Sequence, residues 1–295
     1  MMSWGDQRKG MLCAFVSSFI FAIRLCIIKV TPVVHTETLV FFRFFLDLLI
    51  LSPFFIKKMH YLKTERVGYY GWRSLLVVCS IYCSSYGVRH LALGDAVLLQ
   101  YTFPLFIALF LALFFKNRIS WIANMGLLIG FSSLFFLLKP EWDVVQVASF
   151  FSLSSAVVTA TLAISLQRVM KKEPIPTILF YCTLIPAIVS FFLYLPFWEP
   201  ISWSVLALYL VPSSLLGVLY QFLIAKAYFW APSHVVGGFS YCCVFFSAVL
   251  GWLIWGEVFE GTKLIGGILV AACSLLMVYE TYVKMEKLKK MEEEV

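Results

Sequence analysis

Three charged residues stand inside uninterrupted apolar runs: Arg24, Arg43 and Asp47. Placing a charge at the centre of a membrane helix costs roughly 2.5–3.5 kcal/mol, so each needs a partner or a task. Arg43 and Asp47 are four positions apart, which puts them on one helix face. Runs one and two follow each other in sequence, so antiparallel neighbours bring Arg24 to the depth of Arg43. Two chemistries suit the set. Asp47 neutralises a guanidinium in a bridge that ties helices together, or Asp47 and Arg24 act as counter-ions for a charged substrate or as a coupling group. Arg43 suits the structural role; Arg24 and Asp47 suit the substrate role.

Uncharged polar groups form a second set: Tyr82, Tyr86, Gln100, Tyr101, Tyr220, Gln221, Ser240 and Tyr241. Tyr82 and Tyr86 again share a face. A few polar groups among apolar walls is how small-molecule pockets are built, and the competing reading is a set of interhelical hydrogen bonds. Pro104 follows Gln100-Tyr101-Thr102 directly. Its missing N–H loosens the helix beside that cluster and gives it a structural or coupling role. Thr159 and Thr161 are weaker candidates of the same kind.

The elements that must position these groups are set by composition. The 295 residues are 62% hydrophobic and 13% charged, against about 25% charged in soluble domains. A soluble core cannot absorb that much apolar surface, so the lipid bilayer is the solvent. Ten runs have span length: 11–30, 37–56, 70–89, 95–115, 119–138, 146–168, 176–196, 203–225, 234–255 and 261–282. Lipid demands internally satisfied backbones, which long continuous runs achieve as helices. Period-two alternation is absent, so a β-barrel is not supported. The fold class is therefore an all-α polytopic membrane protein.

The first run lacks a small-residue cleavage site, so it reads as a span rather than a removable leader. The net charge of +7 is spread over caps between runs, not gathered on one face, which argues against nucleic acid. The eight cysteines lie inside apolar runs without a CxxC pair, and the four histidines sit near run ends. No metal or cofactor is expected. Loops are short, the longest covering about 57–69, which leaves no room for a soluble catalytic domain.

With a cytoplasmic N-terminus, 16 of the 23 Lys and Arg fall on the cytoplasmic side, four outside and three within spans. That bias places both termini in the cytoplasm. Residues 86–139 and 226–278 share one order of run, polar break and run. At an offset of 140, Tyr101 matches Tyr241 and Gly126 matches Gly266. Spacing carries this repeat more than identity does. Five helices per repeat is odd, so the halves enter the membrane from opposite sides. The expected units are 11–139 and 146–282, followed by a cytoplasmic tail, 283–295. Glu280 and Lys284 are spaced to support that solvated helix end. Inverted repeats of this kind characterise many secondary transporters. Gly126 and Gly130 form GxxxG, and Gly267 and Ala271 form small-xxx-small; these serve either the repeat interface or a homodimer.

The chain resembles the drug/metabolite transporter superfamily in its EamA-domain branch, along essentially its whole length. Phe41-Phe42-Arg43-Phe44-Phe45 is similar to that family's arginine-containing second helix. The stretch from Gln100 to Phe106 resembles its fourth helix, and Phe239-Ser240-Tyr241 with Gly251 to Glu257 resembles a ninth helix ending in Gly-Glu. Lys116-Asn117 departs from the Gly-Glu that usually ends the fourth helix. The resemblance implies ten helices, a central cavity lined mainly by helices 1, 3, 4, 6, 8 and 9, and movement of small metabolites across the cell inner membrane. The layout also looks similar to the S-adenosylmethionine uptake members of the family, so that compound, taken up or exchanged for S-adenosylhomocysteine, is the expected substrate. Export of amino acids or other metabolites is the alternative. An intramembrane enzyme is disfavoured because no HExxH, paired carboxylates or Ser/His/Asp set is present. An ATP-driven pump would need GxxxxGK[ST], which is absent.

Overall fold

The computed structural model describes residues 4–31, 35–57, 64–90, 99–115, 120–138, 147–170, 172–198, 200–256 and 261–293. Among them every long regular element is a helix and none is a strand. In chain order these are α1 (Trp4–Val30), α2 (Thr36–Lys57), α3 (Val67–His90), α4 (Phe103–Phe115), α5 (Trp121–Leu138), α6 (Val147–Met170), α7 (Ile175–Tyr194), α8 (Trp203–Trp230), α9 (Ser233–Trp255) and α10 (Gly261–Glu293).

Seven of these contain stretches long and apolar enough to cross a membrane, those of α1, α2, α6, α7, α8, α9 and α10. Ten were expected, and the difference has a physical reason in each remaining helix. α3 is long enough but polar, carrying Arg73, Ser74, Ser80, Ser84 and Ser85. α4 has 13 residues, about 20 Å of helix against a hydrocarbon core of about 30 Å. α5 has 18, about 27 Å. The chain is a helical polytopic membrane protein, with no strand among the described residues.

Helix ends follow local chemistry. α9 stops at Gly256, whose φ of +65° is left-handed and whose N–H donates to the Trp252 carbonyl at 3.0 Å. A Cβ is disfavoured in that conformation, so the glycine of the expected Gly-Glu ending works here as a helix stop. Lys116-Asn117, at the position expected to correspond in the first half, lies outside the described residues, as do the expected repeat junction 139–146 and Glu257. α8 carries a π-turn at Leu206–Leu210 just before Pro212. A proline there cannot donate to the preceding turn, and the wider turn accommodates that loss.

The packing order departs from chain order. α8 lies between α1 and α2 and packs on both, whereas α1 and α2 touch each other at most marginally among the described residues. α1 also packs on α9, α3 on α6 and α7, α2 on α7, and α5 on α10. Serines knit these seams. Ser18 donates from α1 to the Phe239 carbonyl of α9 at 3.0 Å, and Ser80 of α3 lies 3.0 Å from the Thr159 hydroxyl of α6. Arg73 donates to the Leu162 carbonyl at 2.6 Å and to the Ser165 hydroxyl.

Gly126 and Gly130 are used inside the chain. A Cβ at Gly126 would sit 2.9 Å from Met277 of α10, and one at Gly130 would run into the Tyr241 ring. The GxxxG face is therefore covered by α10 and α9 of the same molecule. Gly267 likewise abuts Phe245 of α9. α10 continues as helix through Glu293. Glu280 is no part of a solvated end: it is buried, accepts from Ser120 at 3.0 Å and lies 3.7 Å from His234. At the same end of the bundle Gly10 meets Ala231 closely, and Gln167 donates to the Ala231 carbonyl at 3.2 Å.

Candidate functional site

The charged residues converge on one face of α8. Ser213, Gly217 and Gln221 are four residues apart and form a stripe along it, with Ser214 and Tyr220 alongside. Arg24 reaches the stripe from α1 and Asp47 from α2. Arg24 Nε donates to Ser213 Oγ at 3.3 Å, and Gln221 Nε2 donates to Asp47 Oδ2 at 2.8 Å. Ser214 faces the same carboxylate. Arg24 is 2% exposed and Asp47 0%.

The expected Arg–Asp bridge between adjacent helices takes a different form. No Arg24–Asp47 or Arg43–Asp47 oxygen–nitrogen pair comes within bridging distance among the described ion pairs. The two side chains instead approach each other over Gly217 of α8. A Cβ on Gly217 would lie 3.2 Å from Arg24 Cζ and 3.4 Å from Asp47 Oδ1. Arg24 Nη1, Asp47 Oδ1 and Arg43 Nε are all buried without a hydrogen-bond partner. Buried polar atoms are nearly always paired, so three unpaired charged-group atoms in one place call for an explanation. Arg43 is half-buried, with its guanidinium 5.3 Å from the Phe44 ring centroid. It acts electrostatically on both Arg24 and Asp47.

Tyr220 and Gln221 belong to this cluster. Tyr220 faces Arg24, Arg43 and Cys243, and its ring centroid is 4.9 Å from that of Phe21. Tyr101 adjoins it through Cys243. Tyr101 and Thr102 form a turn between the helical residues at 99–100 and α4, with Pro104 buried in the first turn of α4. Gln100 is half-buried just before that turn.

The remaining candidates lie elsewhere. Tyr86 is exposed and stacks on His90 at 4.2 Å. Tyr82 has a buried, unpartnered hydroxyl near Glu37. Ser240 bonds within its own helix to the Val236 carbonyl. Tyr241 is fully buried in the apolar core against Gly130 and Cys273, a setting unlike that of Tyr101. Its hydroxyl lacks a partner, so it contributes a desolvation cost and no bond. Tyr241→Phe is therefore expected to retain full transport with unchanged or slightly raised thermal stability. A transport defect measured in that variant would return Tyr241 to the site.

Three participants escaped the sequence reading: Ser213, Ser214 and Gly217. Their signal was available in the spacing, since 213, 217 and 221 share a face with the candidate Gln221. A surface groove lined by Arg8, Lys9, Leu12, Phe15 and Phe239 involves none of these groups.

Residues 8–139 match the model of the EamA-like transporter family. The S-adenosylmethionine uptake transporter of Rickettsia bellii (strain RML369-C) is 27% identical over 256 residues, covering 86% of this chain and 87% of that protein. The pseudopaline exporter CntI of Pseudomonas aeruginosa (strain UCBPP-PA14) is 25% identical over 283 residues, covering 91% and 96%. A solved crystal structure superposes with a TM-score of 0.75 at 17% identity, covering 91% of this chain and 97% of the other. That likeness concerns the fold.

Proposed function

We infer, from a chain whose residues 8–139 match the EamA-like transporter family, a secondary active transporter that moves a small polar metabolite by alternating access. One observation carries the reading: a buried cluster of Arg24, Arg43, Asp47 and Gln221, with unpartnered charged-group atoms, at the junction of α1, α2 and α8. Charged groups at membrane depth mark substrate pathways.

The architecture that suits this reading is two inverted five-helix units, 11–139 and 146–282, with both termini cytoplasmic in the cell inner membrane. The packing supports it. Exchanging each helix for the one five places on maps α1–α8 onto α6–α3, α1–α9 onto α6–α4 and α2–α8 onto α7–α3, and leaves α2–α7 and α5–α10 unchanged. All of these pairs are in contact. The charged cluster then sits between the two units, where such transporters bind substrate. The Arg8, Lys9 and Arg168 ends fit the cytoplasmic side.

S-adenosylmethionine is the substrate we assign, by uptake or by exchange with S-adenosylhomocysteine. The similarity to S-adenosylmethionine uptake transporters supports it. So does a site that offers cations, a carboxylate and aromatic rings. The similarity to an exporter favours outward movement as the second reading. Proteoliposomes holding the purified protein should accumulate labelled S-adenosylmethionine faster when preloaded with unlabelled compound. Absence of uptake in a folded preparation would remove this substrate and leave the transporter reading to be tested with amino acids.

A further inference from the structure

Taking the transport reading as given, we propose that the Arg24–Asp47 cluster binds a substrate carboxylate. That group is the obligatory feature of the cargo, with an adjacent ammonium as its companion. The charge count comes first. Two guanidiniums, Arg24 and Arg43, face one carboxylate, Asp47. A guanidinium holds its proton firmly, so the cluster carries an excess positive charge even with Asp47 ionised. Glu37, the other acidic residue of α2, is nearly two turns from Arg43 and faces Tyr82 instead. A carboxylate arriving with its ammonium leaves that balance unchanged and gives each free group an opposite charge; an arriving cation without a carboxylate makes the excess worse.

Geometry places the anion. Ser213 holds Arg24 by Nε, and Nη1 of the same guanidinium is left unpartnered. Gln221 holds Asp47 by Oδ2, and Oδ1 is left unpartnered. Both free atoms border one point, the absent Cβ of Gly217, at 3.4 Å each. A donor and an acceptor, each buried, each fixed by a neighbour and each aimed at the same side-chain-free spot, match a carboxylate beside an ammonium. The carboxylate takes Arg24 Nη1 through charge-assisted hydrogen bonds, and the ammonium takes Asp47 Oδ1. The rest of the cargo extends toward Tyr220 and Tyr101.

The test is competition against uptake of labelled S-adenosylmethionine in preloaded proteoliposomes. S-adenosylhomocysteine, which keeps the carboxylate, should inhibit at concentrations close to those of unlabelled S-adenosylmethionine. Decarboxylated S-adenosylmethionine, which keeps the sulfonium, ammonium and adenosine, should be at least roughly tenfold weaker, as expected for losing a charge-assisted pair. Arg24→Gln should erase that preference, while Arg24→Lys keeps the preference at lower affinity. Equal inhibition by the decarboxylated compound in the unmodified protein overturns the carboxylate proposal and leaves the transporter standing. If S-adenosylmethionine is not transported, the assignment of substrate has failed separately. Thermal stabilisation by L-methionine against L-methioninamide and by L-tryptophan against tryptamine then decides. A panel in which no acid stabilises beyond its carboxylate-free partner overturns the proposal.

Discussion

Asp47→Asn is expected to abolish transport, by about 100-fold or more in initial uptake rate, in a protein that still accumulates in the membrane. The substitution conserves shape and keeps an oxygen for Gln221 Nε2, now 2.8 Å from Asp47 Oδ2. It removes the negative charge that faces Arg24 and Arg43. Breaking one partner out of a buried charged set costs about 3–5 kcal/mol, and 2.7 kcal/mol already corresponds to about 100-fold. Arg43 is only half-buried and its long side chain can shift away, so part of the cost is relieved and folding survives. Arg24, 2% exposed, has no such escape. The measurement is uptake by purified protein in proteoliposomes, with size-exclusion behaviour in detergent as the folding control. Uptake at the unmodified rate would take Asp47 out of the mechanism.

The second large effect is assigned to a residue with no side chain. Gly217 lies where the Arg24 and Asp47 side chains meet α8, and an added Cβ would stand 3.2 Å from Arg24 Cζ. Alanine there requires the guanidinium to move by a few tenths of an ångström, so Gly217→Ala should weaken substrate affinity several-fold. Valine adds two further carbons at the point that Nη1 and Oδ1 border, and Gly217→Val should lower uptake by about 100-fold, a loss of roughly 2.7 kcal/mol. The apparent melting temperature should fall less than overpacking of a rigid apolar core would cause, about 1–3 kcal/mol, because the neighbour displaced is the end of a long side chain. Gly217→Val with normal uptake and normal affinity would show that the space above α8 is not used by cargo.

What the sequence disclosed about this site, and what it hid, depends on which quantities a linear chain carries. Charges in apolar runs are conspicuous, so Arg24, Arg43 and Asp47 could be found, and Asp47 did prove fully buried. Tyr220 and Gln221 stood out as polar groups in a long apolar run. Gly217 and the two serines beside it were easily passed over, despite sharing spacing with Gln221, because small residues are common in membrane helices and become meaningful only when something rests on them. The assumption that consecutive helices are neighbours was the main geometrical error. It holds for roughly two thirds of sequential elements, and here α8 displaces it. Tyr241 shows the same limit: its pairing with Tyr101 by offset gave no warning that one meets a thiol at a helix break while the other is wedged against Gly130. Glu280 was hidden by position, since a carboxylate near a charged tail reads as solvated until Ser120 and His234 are found beside it. Helix existence followed from run length, whereas the shortness of α4 depended on where the turn at Tyr101 and Thr102 fell.

The division of the cluster between α1, α2 and α8 also dictates an order of events at birth. Asp47 and Gln221 are 174 residues apart in the chain, and Arg24 and Ser213 are 189 apart. At a synthesis rate of about 5–20 residues per second, roughly ten to forty seconds separate the emergence of each charge from that of its partner. During that interval α1 and α2 must be handed to the bilayer with an arginine and an aspartate that nothing on α8 yet holds. The nascent first half therefore has a reason to stay beside the insertion machinery until α8 arrives.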